Sequence, residues 1–185
     1  MLPLVLPEVD HAARVGERLS DAPMSAEQGW TLVLMDLAAD SHALEAWGKR
    51  LRLSKKLSRR VQEAVVLAAG LKAYSAQSVA QRKRMVRSPV FALAAAAARS
   101  AGRADQRDPE PLEHASREAL SWSADELHPA PLLDGRALRA LGYNPGPHFK
   151  TILDALEDAQ LEGSVGDVNE AEALARRMMS ALDTD

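Results

Sequence analysis

The run Asn144-Pro145-Gly146-Pro147 constrains this chain more than any other stretch. Pro145 has no amide hydrogen and biases Asn144 toward extended backbone, so no single helix runs through it. Gly146 tolerates backbone angles closed to other residues. Pro147 suits the first position of a new helix, where its missing donor costs nothing. Upstream, Asp134 is placed to accept hydrogen bonds from the free amides of a first turn, Leu138 and Leu141 share a face, and Gly142 stands where a helix exits through a left-handed residue. Downstream, Phe149, Ile152, Leu153, Leu156 and Leu161 keep helical spacing until Gly163 can stop the helix. Residues 131–163 therefore read as a short helix, a corner and a longer helix.

The rest of the chain follows the same period. No alternating strand pattern and no fixed repeat is visible, so the fold class is all-α, a multi-helix bundle-like body with the helix–corner–helix element near its C-terminus. Aromatic residues make up only 4% of the chain, which leaves Leu, Val and Ala to build the core. Helices are expected from about Glu8 to Leu19, then to about Ala39 behind a Ser25/Gln28 capping box. Ser41 can cap the next, with Leu44, Trp47 and Leu51 inward. After a joint at Leu53-Ser54, Val61, Ala64, Val65, Ala68 and Leu71 form one buried stripe. Gln77–Val86 reads as a polar, basic helix. Ser88-Pro89 starts another, whose alanines allow close packing. A helix from about Leu112 to Trp122 precedes an irregular stretch, Ser123–Pro131, and Asn169 with Glu172 caps the last helix. The domain boundaries drawn are 1–101, a helical body with a basic segment; 102–130, a linker and connecting helix; and 131–185, the C-terminal element.

The corner also carries a resemblance. Leu133-Asp134-Gly135-Arg136-Ala137-Leu138, Leu141-Gly142-Tyr143-Asn144-Pro145-Gly146-Pro147, Ile152-Leu153 and Ala159-Gln160-Leu161-Glu162-Gly163 resemble the C-terminal region of bacterial tRNA nucleotidyltransferases, the CCA-adding and poly(A) polymerase family. A looser match at Leu51-Arg52-Leu53-Ser54 extends it over most of the chain. The resemblance implies the body and tail that grip tRNA and help position its 3′ end for nucleotide addition. It implies no catalysis by this stretch alone. The family's head carries a Gly-rich loop, metal-binding carboxylates and a Glu-Asp-x-x-Arg selector, and none is recognisable here; Glu157-Asp158 lacks the arginine. No catalytic residue is assigned. Magnesium and nucleotide are expected only with a separate catalytic head.

Net charge is −3, which alone does not favour a polyanion, but its distribution does. From Lys49 to Arg87 there are 12 basic residues against Glu63, a local charge of +11. Beyond Lys150 acids dominate. So lopsided a chain can steer a polyanion to one side. The residues expected to contact RNA are Lys55, Lys56, Arg59, Arg60, Lys72, Arg82, Lys83, Arg84 and Arg87. The bland alternative is a solvated charged face. Tyr74 is the only ring between Trp47 and Phe91, so recognition by shape and backbone fits better than base stacking. Lys55, Lys56, Arg59 and Arg60 oppose the dipole of the helix they start, which favours a functional reason for them. A candidate phosphate contact is Gly146, His148 and Lys150 at a helix start. The alternative there is a rigid corner, since proline removes an amide.

Other chemistry is sparse. His11, His42, His114, His128 and His148 lack zinc-site spacing, and Asp183-Thr184-Asp185 reads as a chance pair at the chain's end, so no metal is assigned. Cysteine is absent. No run reaches the ~18 apolar residues of a membrane span, and a cytoplasmic location is expected. The partners expected are tRNA or another structured RNA, and a separate nucleotidyltransferase catalytic subunit. The competing reading is an assembly module that docks on such a subunit or self-associates into a homo-oligomer, motivated by the apolar stretch Phe91–Ala98.

Overall fold

The computed structural model describes residues 12–19, 25–37 and 40–182. Among them there is no strand. The helices are α1 (Ala12–Arg18), α2 (Ala26–Leu34), α3 (Ser41–Arg50), α4 (Lys55–Gly70), α5 (Val79–Val86), α6 (Phe91–Ala104), α7 (Glu110–Ser121), α8 (Ala124–Leu127), α9 (Gly135–Ala140), α10 (Pro147–Glu162) and α11 (Val168–Leu182). Two 3-10 segments, Met35–Leu37 and Leu71–Ala76, complete the order. The fold is all-α, as the periodicity requires. The chain divides into two compact units, one of residues 1–77 and 85–121, the other of residues 78–84 and 122–185.

In the first unit α2 packs against α4 and α6, and α3 lies on α4. The expected stripe of α4 is its inner face: Val61, Ala64, Val65 and Ala68 are buried, and Leu71 follows them in. Trp47 of α3 is buried beside the half-buried Trp30 of α2, with ring centroids 5.5 Å apart. Ala94, Ala95, Ala97 and Ala101 of α6 are buried too, and their small side chains let the helix axes approach. α7 packs on the Leu71–Ala76 segment, where the hydroxyl of buried Tyr74 donates to Glu118 at 2.7 Å. Residues 102–121, within the stretch 102–130 expected as a linker and connecting helix, lie inside this unit.

The second unit is built around the corner. Asp134 accepts from the N–H groups of Arg136 and Ala137, Gly142 leaves α9 at φ 92°, Pro147 opens α10, and Gly163 ends it at φ 74°. Ile152 and Leu156 of α10 meet Leu133, Leu138, Val165, Ala171, Ala175 and Met179 in one core.

Several caps differ from expectation. Asp40, not Ser41, caps α3, its carboxylate accepting from Ala43 N–H at 2.9 Å. Ser88-Pro89 forms a turn, closed by Phe91 N–H to Ser88 C=O, so α6 begins at Phe91. Asp167 rather than Asn169 takes the Glu170 N–H at the start of α11. Ser123–Glu126 is a reciprocal capping box that starts the single turn α8 in a stretch expected to be irregular. α2 stops at Leu34 and tightens into the 3-10 turn. His11 and the Asp183/Asp185 pair lie outside the described residues.

Candidate nucleic-acid interface

Ser54 sets the first candidate face. Its side chain caps α4 by accepting from Leu57 N–H, which fixes where the helix begins and so where its first two turns point. The spacing of Lys55, Lys56, Arg59 and Arg60 brings all four to one groove, completed by Glu63, Pro89 and Val90, with a volume of about 460 Å³. No acid stands in the first turn of α4, so the positive helix end and the cations add. Lys55 and Lys56 are exposed. Arg59 bonds Glu63 at 2.7 Å while staying 81% exposed, so water screens that pair heavily. The hydrogen bond to Glu63 holds the Arg59 pKa above its ordinary value. Arg60 reaches back to Glu27 of α2 at 3.0 Å.

Arg82, Lys83 and Arg84 have a different environment. The sequence presents them as an exposed basic helix; the structure half-buries all three within the second unit. Arg84 bonds Asp158 and, at 2.6 Å, Glu157. Glu157 first, against a burial cost, then Asp158 hold the Arg84 pKa above its ordinary value. Lys83 Nζ donates to the Leu161 carbonyl at 2.9 Å and lies 5.7 Å over the Trp122 ring. Arg82 and Lys83 both bias the Glu162 carboxylate toward its charged form. The basic segment and the acidic C-terminal segment, which the sequence shows as opposite charge blocks, thus meet here as partners. Arg87 is half-buried in the first unit.

At the corner, Gly146 caps α10 with extended backbone and no side-chain bond. His148 is exposed, and Lys150 pairs with Asp154 at 2.7 Å, one turn along its own helix. The charge available to a phosphate there is partly offset.

Lys72 lies elsewhere, on the Leu71–Ala76 segment, where it lines a second cavity together with Arg99, Arg103 and Arg107. The three arginines were not singled out from sequence, although their spacing of four residues puts Arg99 and Arg103 on one helix face. Their meeting with Lys72 depends on packing that spacing does not show.

One constellation invites a catalytic reading. Ser75 Oγ lies 2.9 Å from His114 Nδ1, and His114 Nε2 lies 3.4 Å from Glu118. The Ser75 hydroxyl also donates to Glu110 at 3.2 Å. Its one proton is then on the carboxylate side and is not directed at the imidazole. None of the three lines either cavity. The cluster fastens α7 to the Leu71–Ala76 segment. Among the described residues no group of three His, Asp or Glu is arranged to hold a metal ion, and no helix is long and apolar enough to cross a membrane.

A family model described as tRNA nucleotidyltransferase domain 2 matches residues 22–177, most of the chain. No curated protein and no solved structure matches it.

Proposed function

We propose that this chain, which belongs to the tRNA nucleotidyltransferase domain 2 family, is an RNA-binding helical module that holds tRNA or a similarly folded RNA during 3′-end nucleotide addition. The observation that carries this reading is the groove at the start of α4, where Lys55, Lys56, Arg59 and Arg60 converge and the first turn holds no acid. Four cations on one helix end are unfavourable for the isolated helix, because they oppose its dipole and repel one another. A phosphate backbone reverses both terms and releases counterions as it binds. The groove holds no aromatic side chain for stacking, so the contacts are to phosphate and sugar and the recognition is of RNA shape.

Lys55 and Lys56 are the residues expected to contribute most, with Arg59 and Arg60 exchanging carboxylates for phosphates. Arg82, Lys83 and Arg84 contribute less, since Arg84 already faces two carboxylates. Nucleotide addition itself, with its magnesium and nucleotide, belongs to a separate catalytic head. The assembly reading gains no support from the Phe91–Ala98 stretch, whose Ala94, Ala95 and Ala97 are turned into the first unit.

Fluorescence titration of labelled tRNA tests the proposal. Lys55→Gln with Lys56→Gln is expected to weaken binding about tenfold or more, at roughly 1 kcal/mol for each charge-assisted hydrogen bond to phosphate that the double variant cannot make. Unchanged affinity in that double variant, with its fold intact, contradicts the assignment of the groove.

A further inference from the structure

The cavity around Lys72 has a volume of about 680 Å³, the size of a small-molecule site. It shares no lining residue with the α4 groove. Lys72, Arg99, Arg103 and Arg107 give it four cations. Two acids also line it, and both have other work. Asp108 accepts the Glu110 N–H at 3.0 Å, and Glu113 faces Arg117 at 4.0 Å. Gln106 adds one polar side chain, and the rest of the wall is apolar, with Leu71, Ala98, Pro109, Pro111 and Leu112.

The backbone supports the clustering. Gln106 takes φ 51°, a left-handed conformation that a residue with a side chain adopts only under constraint. It turns the chain so that Arg107 N–H bonds the Gly102 carbonyl at 2.9 Å, and Arg107 comes back beside the end of α6. Arg107 also bonds Asp105, which the buried Arg18 shares at 2.8 Å. Cations in the last turn of a helix suit its dipole, which accounts for Arg103 but not for Lys72. Partial desolvation against the cavity wall first, and then Arg107, hold the Lys72 ammonium below its ordinary value, while its side chain still reaches solvent. Like charges gathered over an apolar wall are what a phosphate attached to a flat organic body would neutralise.

We propose that this cavity binds a nucleoside 5′-phosphate, with the phosphate among Lys72, Arg99, Arg103 and Arg107 and the base against Leu71, Ala98 and Leu112. The nucleotide is either free or a single unpaired residue of an RNA, and the chemistry of the site is the same for both.

Calorimetric titration of the full chain with AMP, adenosine and inorganic phosphate tests this. AMP is expected to bind more tightly than phosphate, and adenosine more weakly than either. Lys72→Gln with Arg99→Gln, both exposed positions, weakens AMP about tenfold or more. A Cβ at Gly102 meets no atom within 4 Å, so Gly102→Leu occupies cavity space without removing charge. It reduces AMP binding to the level of phosphate and leaves phosphate binding unchanged. Competition distinguishes the sources. AMP displacing a hairpin RNA with a single-stranded 3′ tail, but not the blunt hairpin, identifies an unpaired RNA residue. AMP binding with no effect on either RNA identifies a free nucleotide. No AMP binding at millimolar concentration, AMP no tighter than phosphate, or unchanged binding in both variants with native thermal unfolding overturns the assignment. Lys55→Gln with Lys56→Gln leaves AMP binding intact, so this result and the RNA result fail independently.

Discussion

The carboxylate of Glu162, at the end of α10, accepts a hydrogen bond from the backbone N–H of Ala80 at 2.9 Å, across 82 residues of sequence. That bond, then one from Ser78, holds the Glu162 pKa below its ordinary value. The carboxylate therefore contributes stability above its unfolded-state pKa and loses it as pH falls through the lowered folded-state value. The protection of the Ala80 amide against hydrogen exchange, relative to its intrinsic rate at each pH, is expected to fall on acidification more than global unfolding explains. Glu162→Gln should flatten that dependence. An Ala80 amide equally protected at acidic and neutral pH argues against the link.

Arg84 and Lys55 are expected to behave oppositely when their charge is removed. Arg84→Gln breaks bonds to Glu157 and Asp158 inside the second unit, and should lower stability by about 1 kcal/mol, the range of partly exposed pairs. It should change RNA affinity little. Lys55→Gln should leave stability unchanged or slightly raised and weaken RNA binding. Thermal unfolding and RNA titration on the same two preparations check both signs.

Arg18 is fully buried and bonded to Asp36 at 3.1 Å and Asp105 at 2.8 Å. Asp105 is the less exposed carboxylate, 12% against 33%. Removing it leaves a buried guanidinium with one partner, which costs about 3 kcal/mol. Asp105→Asn is therefore expected to destabilise more than Asp36→Asn in urea unfolding. Equal losses would mean that burial does not set the cost.

Two helical glycines should respond to alanine with opposite signs. A Cβ at Gly48 would stand 2.9 Å from Ser58 Cβ and nearer still to its hydroxyl, where α3 and α4 pack. Gly48→Ala should lose about 1–3 kcal/mol by overpacking. Gly102→Ala meets open space and should gain about 0.5–1 kcal/mol from helix propensity. The difference in midpoint between the two variants is the readout.

What could be read in advance was local. Asp134, Gly142, Pro147 and Gly163 each act within a few residues of themselves, so the corner's geometry follows from their chemistry. The stripe of α4 follows from its period. Neighbouring cap formers defeated the reading at Asp40 and Ser41, because both side chains can accept and only the backbone path selects one. The charge segregation was visible, but not that Arg84 spends its charge on carboxylates 73 and 74 residues away. For the same reason the groove at Lys55–Arg60 was within reach of the sequence, whereas the cavity joining Lys72 to Arg99 and Arg103 was not.

The salt dependence of tRNA binding tests the central claim most directly. A module that holds RNA through Lys55, Lys56, Arg59 and Arg60 should show log affinity falling linearly with log salt. The slope should be about −0.7 to −0.9 per phosphate engaged, and shallower by about 2 in Lys55→Gln with Lys56→Gln. A slope near zero, or the same slope in the double variant, contradicts it.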